Sequence, residues 1–355
     1  MKSSKILTAC LAFMFALVLV VCVSSAYAAP AKPIILKYAV WTPSPDVNVF
    51  SKANSWLIRE AEKRSKGRLK VEYYWSGSLV PGRKTVKGVR SGVADIANIM
   101  PDYQPGLLPL TMVGSLPAIS HDFWTSAMAF RELVKMPEIK AEFDKHNMMY
   151  LGNVTNISFG YWTKVPVRNI ADLKGLKIVG VGQRAKLVKA LGSVAVSMIS
   201  TEVYPAMEKG TADGAIANPG YASDYNWQEI CPWYYNLSLG NNGNMFLGMN
   251  KDSWNKLPDD IQQMFLGLQE EAIRQGHIIY QGNAENKLKH FVAEGIVTSS
   301  NPNAADRALL NKTAREVIWI KWVASMEKQG LPGQKVLDNW ISLNKKYAAI
   351  YPFKR

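Results

Sequence analysis

The sequence predicts an α/β protein of two lobes with mixed, mainly parallel sheets, followed by a helical tail. Three observations carry this. Strand-like and helix-like stretches alternate from residue 34 to 99 and again from 149 to 217, the order that produces parallel strands joined by crossover helices. One phrase occurs twice, "SGVADIANIMP" at 91–101 and "KGTADGAIANPG" at 209–220. From Leu257 onward helical periodicity dominates.

The elements follow in order. Ile34 to Trp41 alternates and reads as a strand. Asp46 to Ser65 reads as a helix from Val49, Ala53, Leu57 and Ala61 at i, i+4 spacing, and Gly67 stops it. Leu69 to Trp75 is a second strand. Lys84 to Ser91 is a short helix with Gly92 as its C-cap, and Val93 to Ile99 is a third strand, ended by Pro101. Phe123 to Phe130 and Ile139 to His146 read as helices. The pattern then restarts, with strands at Met149–Leu151, Gly160–Thr163 and Lys177–Val181. A helix from Gln183 to Leu191 ends at Gly192, and Val194 to Met198 is a strand. Thr201 could cap a helix to Lys209, and Ala215 to Ala217 is a short strand cut off by Asn218-Pro219-Gly220. Helical periodicity runs from Pro258 to about Glu294 and from Ala304 to Gln329, where Gly330-Leu331-Pro332-Gly333 interrupts it. Trp319, Trp322 and Met326 share one face of that second helix, as core packing requires. A last helix fits Gln334 to Tyr347.

The N-terminus decides the compartment. Lys2 and Lys5 precede an apolar run from Ile6 to Val23, and Ala26-Tyr27-Ala28 gives a small-residue cleavage site. Residues 1–28 therefore read as a cleaved signal peptide, and the mature chain as exported to the periplasm. Cys22 follows Val20-Val21, where a lipid-attachment site wants a small residue. Of three cysteines only Cys231 lies beyond the signal, so neither an internal disulfide nor a cysteine metal site is expected. Removing Lys2 and Lys5 lowers the formal net charge from +14 to +12. The basic residues are scattered and no nucleic-acid motif accompanies them. They read as a solvated surface that also attracts an anionic ligand.

Motifs of catalysis are missing. There is no HExxH, GxSxG or phosphate loop, and His121, His146, His277 and His290 have no ligand spacing. Ser253 and Ser325 begin SxxK tetrads without partner motifs. No metal, no cofactor and no enzyme activity is expected. A binding protein needs only a cleft and a hinge. In an open parallel sheet ligands sit outside the carboxyl ends of the strands, so the residues just after strands are the candidates. Asp95 and Asp213 are expected only to hydrogen-bond backbone, whereas Asn218 is placed at the cleft.

"DLKGLKIVGVG" (172–182), "ALG" (190–192) and "STEVYPAMEKGTADGAIANP" (200–219) resemble the central region of substrate-binding proteins of tripartite ATP-independent periplasmic (TRAP) transporters, in their dicarboxylate-type branch. "GRLKVEYYWSGSLVPGRKTVKGVRSGVADIA" (67–97) and "MNKDSWNKLPDDIQQMF" (249–265) extend the resemblance over nearly the whole mature chain. It implies a two-lobed periplasmic binding protein fold with a long lobe-crossing helix, closing on a small organic molecule and docking on an integral-membrane permease. A monomer is expected. The lobes are assigned to 29–155 plus 246–285 and to 156–245 plus 286–312, with 313–355 as C-terminal helices packed on both. The resemblance also implies an Arg directly after "KGLKI", which pairs with a ligand carboxylate in a bidentate fork. Val179 stands there instead. A second Arg of carboxylate-rich binders falls at Phe159. Arg184 and Gln183 are the polar substitutes, Asn218 matches the family's ligand-binding Asn, and Trp41, Tyr103, Phe159, Tyr161 and Tyr221 supply aromatic walls. Such walls suit an organic acid with an apolar or aromatic body, or an amine or neutral ligand.

Overall fold

In the computed structural model, which describes residues 32–104, 106–153, 156–241 and 243–353, the strands assort into two sheets. They are β1 (Ile34–Ala39), β2 (Leu69–Tyr74), β3 (Ile96–Ile99), β4 (Met148–Asn153), β5 (Gly160–Thr163), β6 (Lys177–Val179), β7 (Val194–Val196), β8 (Gly214–Ala217), β9 (Trp233–Tyr235), β10 (Phe246–Asn250) and β11 (Thr298–Ser300). The first sheet runs β2-β1-β3-β10-β4 and the second β11-β9-β5-β8-β6-β7. The expected signal peptide at 1–28 lies outside the described residues.

The parallel pairs β1–β2, β1–β3, β6–β7 and β6–β8 come from the alternating segments, as the sequence predicts. The central strands β3 and β8 are buried along their whole length, so they read as short apolar runs rather than alternations. The antiparallel pairings carry no such local signal. β10 lies antiparallel between β3 and β4, and β5 antiparallel between β8 and β9. β9, β10 and β11 were not expected at all, because segments of three to five residues without alternation become strands only through their partners.

Two long helices carry internal π-turns. Asp259–Gly276 passes through a π-turn at His277–Gln281 into Gly282–Ala293, and Ala304–Thr313 passes through Ala314–Trp319 into Ile320–Glu327. A π-turn adds a residue without ending the helix, so sequence periodicity carries across it. The first of these helices crosses between lobes. Its first half packs on β4 and on the helix Trp56–Arg64, its second half on the helix Pro219–Asp224. The expected helix 46–65 instead breaks in two at Ser55, into Val49–Asn54 and Trp56–Arg64, with Asn48 capping the first by accepting from Ser51 N. Ser51 and Ser55 turn their hydroxyls inward, to Thr42 and to the Ser51 carbonyl, the local competition that weakens helix interiors. Trp322 and Met326 are buried, and Trp319 donates to the Pro117 carbonyl, so that face is core.

The repeated phrase has the same job in each lobe. Asp95 Oδ2 accepts from Lys37 N at 2.7 Å, and Asp213 Oδ2 accepts from Lys177 N at 2.8 Å. Each Asp thus pins the first strand of its parallel unit, and Ser253 Oγ adds a bond to Asp95. Asp95→Ala and Asp213→Ala are each expected to cost about 0.5–1.5 kcal/mol of stability, since each strand N–H exchanges its carboxylate acceptor for water at an exposed position. Equal urea midpoints for wild type and either variant would remove the clamp from the account.

Candidate ligand-binding cleft

The carboxyl ends of the strands converge on one chamber between the sheets. Trp41 enters it after β1, Met100 and Tyr103 after β3, Val179 to Val181 and Arg184 at and after β6, Met198 and Ser200 after β7, and Tyr221 after β8. This is the position that parallel topology assigns to a ligand. The chamber holds about 550 Å³ of atom-free space, part of it continuous with solvent. Its wall is mostly apolar, with Phe159, Ile216, Trp227 and Met245 completing it. Trp41 meets Tyr103 edge-on at 5.4 Å, and Tyr221 meets Trp227 edge-on at 6.0 Å.

Among the described residues, Arg184 is the one charged side chain on this wall. It lies in the first turn of the helix Gly182–Ala190 and is only 1% exposed. Its Nε and Nη1 have no hydrogen-bond partner among the described residues. The guanidinium carbon sits 4.5 Å from the Phe159 ring centroid, which supports it from one face. Burial pulls its pKa down to about 10, against the nearby charge of Asp102, which pushes it up. A cation in the first turn also opposes the helix dipole. Burial, dipole and empty N–H groups together call for an anion at this spot.

Asp102 supplies part of that charge from behind. Burial raises its pKa and Arg184 lowers it. Oδ2 accepts from Asn244 at 3.4 Å, but Oδ1 has no hydrogen bond among the described residues, so no direct pair with Arg184 is made. Oδ1 presses instead on Gly182, where an added Cβ would come within 1.7 Å of it and where φ is +59°. Asp102 follows β3 of the first sheet and Gly182 follows β6 of the second, so this contact spans the chamber. Other contacts cross it as well. Tyr103 OH and Ser200 Oγ are 3.5 Å apart, and Val49 N donates to Asp224 Oδ2 at 3.1 Å. Burial pushes the Asp224 carboxyl up to about 6.

Of the sequence candidates, Trp41, Tyr103, Phe159, Val179, Arg184 and Tyr221 line the chamber together. Tyr161, Gln183 and Asn218 are buried outside its wall. Tyr161 packs on Tyr235 in the sheet. Asn218 Oδ1 caps the helix Pro219–Asp224 by accepting from Tyr221 N, and Nδ2 donates to Asn156 Oδ1 and Tyr280 OH. That cap explains why β8 stops abruptly: Asn218-Pro219 starts a helix. Asn156, not Asn218, reaches the chamber wall. Sequence reading also missed Met100, Met198, Ser200, Trp227 and Met245. Met100, Met198 and Ser200 follow strand ends, which was a usable signal; Trp227 and Met245 flank strands the sequence hides.

The histidines and acids form no group that could hold a metal ion among the described residues. No described helix is long and apolar enough to cross a membrane. Cys231 is fully buried beside Met207, and burial pushes its thiol up to about 12, as expected of an inert core thiol.

Two α/β lobes, a lobe-crossing helix and an interlobe chamber define a solute-binding protein. The profile of the bacterial extracellular solute-binding protein family 7 matches residues 41–333, and the chain belongs to that family. A TRAP periplasmic solute-binding protein from Desulfovibrio salexigens is 27% identical, with a TM-score of 0.76 over 89% of this chain and 97% of that one. A TRAP solute-binding protein from Rhodoferax ferrireducens, solved with copurified benzoate, is 22% identical, with a TM-score of 0.81 over 89% of this chain and 99% of that one. Among curated relatives, a solute-binding protein from Albidiferax ferrireducens is 28% identical over 58% of this chain. A monocarboxylate 2-oxoacid-binding periplasmic protein from Nostoc is 24% identical over 59%. The matched segments span 62% and 58% of those two relatives' own lengths.

Proposed function

We propose that this protein captures an organic monocarboxylate with an apolar or aromatic body in the periplasm and delivers it to the membrane permease of a TRAP transporter. The observation that carries the reading is Arg184, a buried guanidinium with empty N–H groups in an apolar chamber. It takes the role that the resemblance gives to an Arg at Val179. A carboxylate at Arg184 would accept from Nε and Nη2 in a bidentate fork and balance the charge, and the aromatic walls would cover the body. A second carboxylate would meet apolar wall, and burying it unpaired costs several kcal/mol. An amine would face the guanidinium, which disfavours it.

Relatives support the class. Structures of the same fold carry benzoate, metahydroxyphenylacetate and mandelate. The proposed lobe boundaries at 246–285 and 286–312 fit the sheets, since β10 joins the first and β11 the second. Binding is proposed to act by closure of a monomer, without enzyme chemistry, on the interlobe contacts above.

A thermal-shift screen tests this. Monocarboxylates such as benzoate, phenylacetate and branched-chain 2-oxoacids are expected to stabilise the protein most. At a hundred times its Kd a ligand adds about 2.7 kcal/mol. Succinate, malate and small amines should shift little. The largest shift from succinate or malate would overturn the monocarboxylate reading.

A further inference from the structure

A second hollow opens onto the chamber. It is lined by Ser76, Pro81, Arg83, Lys84, Thr201 and Tyr225 among others, and it shares Trp41, Tyr103 and Ser200 with the inner wall. Those three residues are the threshold between the two spaces. Arg83 and Lys84 are exposed, and neither makes an ion pair among the described residues. Arg83 places its guanidinium carbon 5.9 Å from the Tyr103 ring centroid, on the threshold itself. Among the described residues, neither space has an acid on its wall. The charges on the walls are therefore cationic from the mouth inward, with the buried Asp102 as a counter-charge near Arg184, and low-dielectric walls focus such a field. Arg83 and Arg184 both act electrostatically on the Tyr103 phenol, against the opposite pull of Asp102, so the outer and inner cations are in range of one group.

We propose that Arg83 and Lys84 form a cationic vestibule that captures the anionic ligand and passes it across Tyr103 to Arg184. The inference rests on the organic-acid reading and extends it to the route of entry. An exposed cation contributes little once a buried site is filled, so the vestibule acts on association rather than on holding. The other basic residues of the chain are scattered, and long-range attraction by net charge alone would not single out these two.

Stopped-flow tryptophan fluorescence with benzoate as the probe tests this on the full mature chain. Arg83→Gln/Lys84→Gln is expected to lower kon about ten-fold at low ionic strength and to leave koff within about two-fold. The difference should shrink as salt rises past about 0.15 M, where the screening length is about 8 Å. Lys345→Gln/Lys346→Gln, which removes the same charge from the C-terminal helix, should leave kon within about two-fold. An unchanged kon in the vestibule variant, a loss of affinity through koff, or equal slowing by the C-terminal variant would each overturn the proposal. Equilibrium calorimetry separates the two readings. A wild-type protein that binds no acid of the screen defeats the organic-acid reading, whereas normal equilibrium binding with unchanged kon defeats the vestibule alone.

Discussion

Arg184→Met is expected to remove acid binding, raising Kd a few hundred-fold or about 3–4 kcal/mol, in the range for truncating one partner of a buried charge pair. Met fills much of the same volume and keeps contact with Phe159, so the chamber should not collapse. The variant also strands Asp102. A buried carboxylate that loses its cation costs about 3–5 kcal/mol if it stays ionised. Burial already raises the Asp102 pKa and Arg184 is what holds it down, so Asp102 takes up a proton instead and the loss is smaller. Stability of the single variant should therefore fall as pH rises above the usual carboxylate range, where Asp102 must ionise without a partner. Arg184→Met/Asp102→Asn removes both charges. It should recover stability at neutral pH and still fail to bind. Calorimetry and urea unfolding of the two variants give the answer, and wild-type affinity in the double variant would eliminate Arg184 as the anchor.

Gly182→Ala is expected to act on closure. The added Cβ would lie 1.7 Å from Asp102 Oδ1, and the residue must hold φ at +59°. The left-handed conformation alone costs a non-glycine residue about 1–3 kcal/mol. Asp102 must also swing away, which breaks an interlobe contact and shifts the cation at Arg184. Affinity should drop ten-fold or more, and small-angle scattering with saturating acid should show a particle more open than the wild type. An Asp102→Ala background relieves the clash but not the backbone strain, so it should restore only part of the closure. Unchanged affinity and scattering for Gly182→Ala would show that this contact does not govern the closed state.

How much of this was legible in the sequence depends on the interaction range. β5 matched its expected residues, and β1, β2, β3, β6, β7 and β8 fell within one to three residues of theirs, because alternation and glycine caps are local signals. Gly92 and Gly192 sit at φ +71° and +103°, as C-capping glycines do. Strand ends then pointed to Trp41, Tyr103 and Tyr221, and the family resemblance to Phe159, Val179 and Arg184. The antiparallel strands β9 and β10 were invisible, since their pairing partners lie far away in sequence, and with them went Trp227 and Met245. Asn-Pro at 218–219 reads equally as a ligand contact and as a helix cap, and in the structure Asn218 caps the helix and bonds Asn156 and Tyr280. Asp102 was silent because its meaning depends on Gly182 and Arg184, which belong to the other lobe.

A crystal structure of the protein with the acid that ranks first in the thermal-shift screen tests the central claim most directly. The account predicts the carboxylate in the chamber, its oxygens about 2.7–2.9 Å from Arg184 Nε and one terminal nitrogen, the distances of a charge-assisted bidentate pair. The body of the acid should lie among Trp41, Tyr103 and Phe159. A carboxylate held elsewhere, with Arg184 Nε still empty, would contradict it.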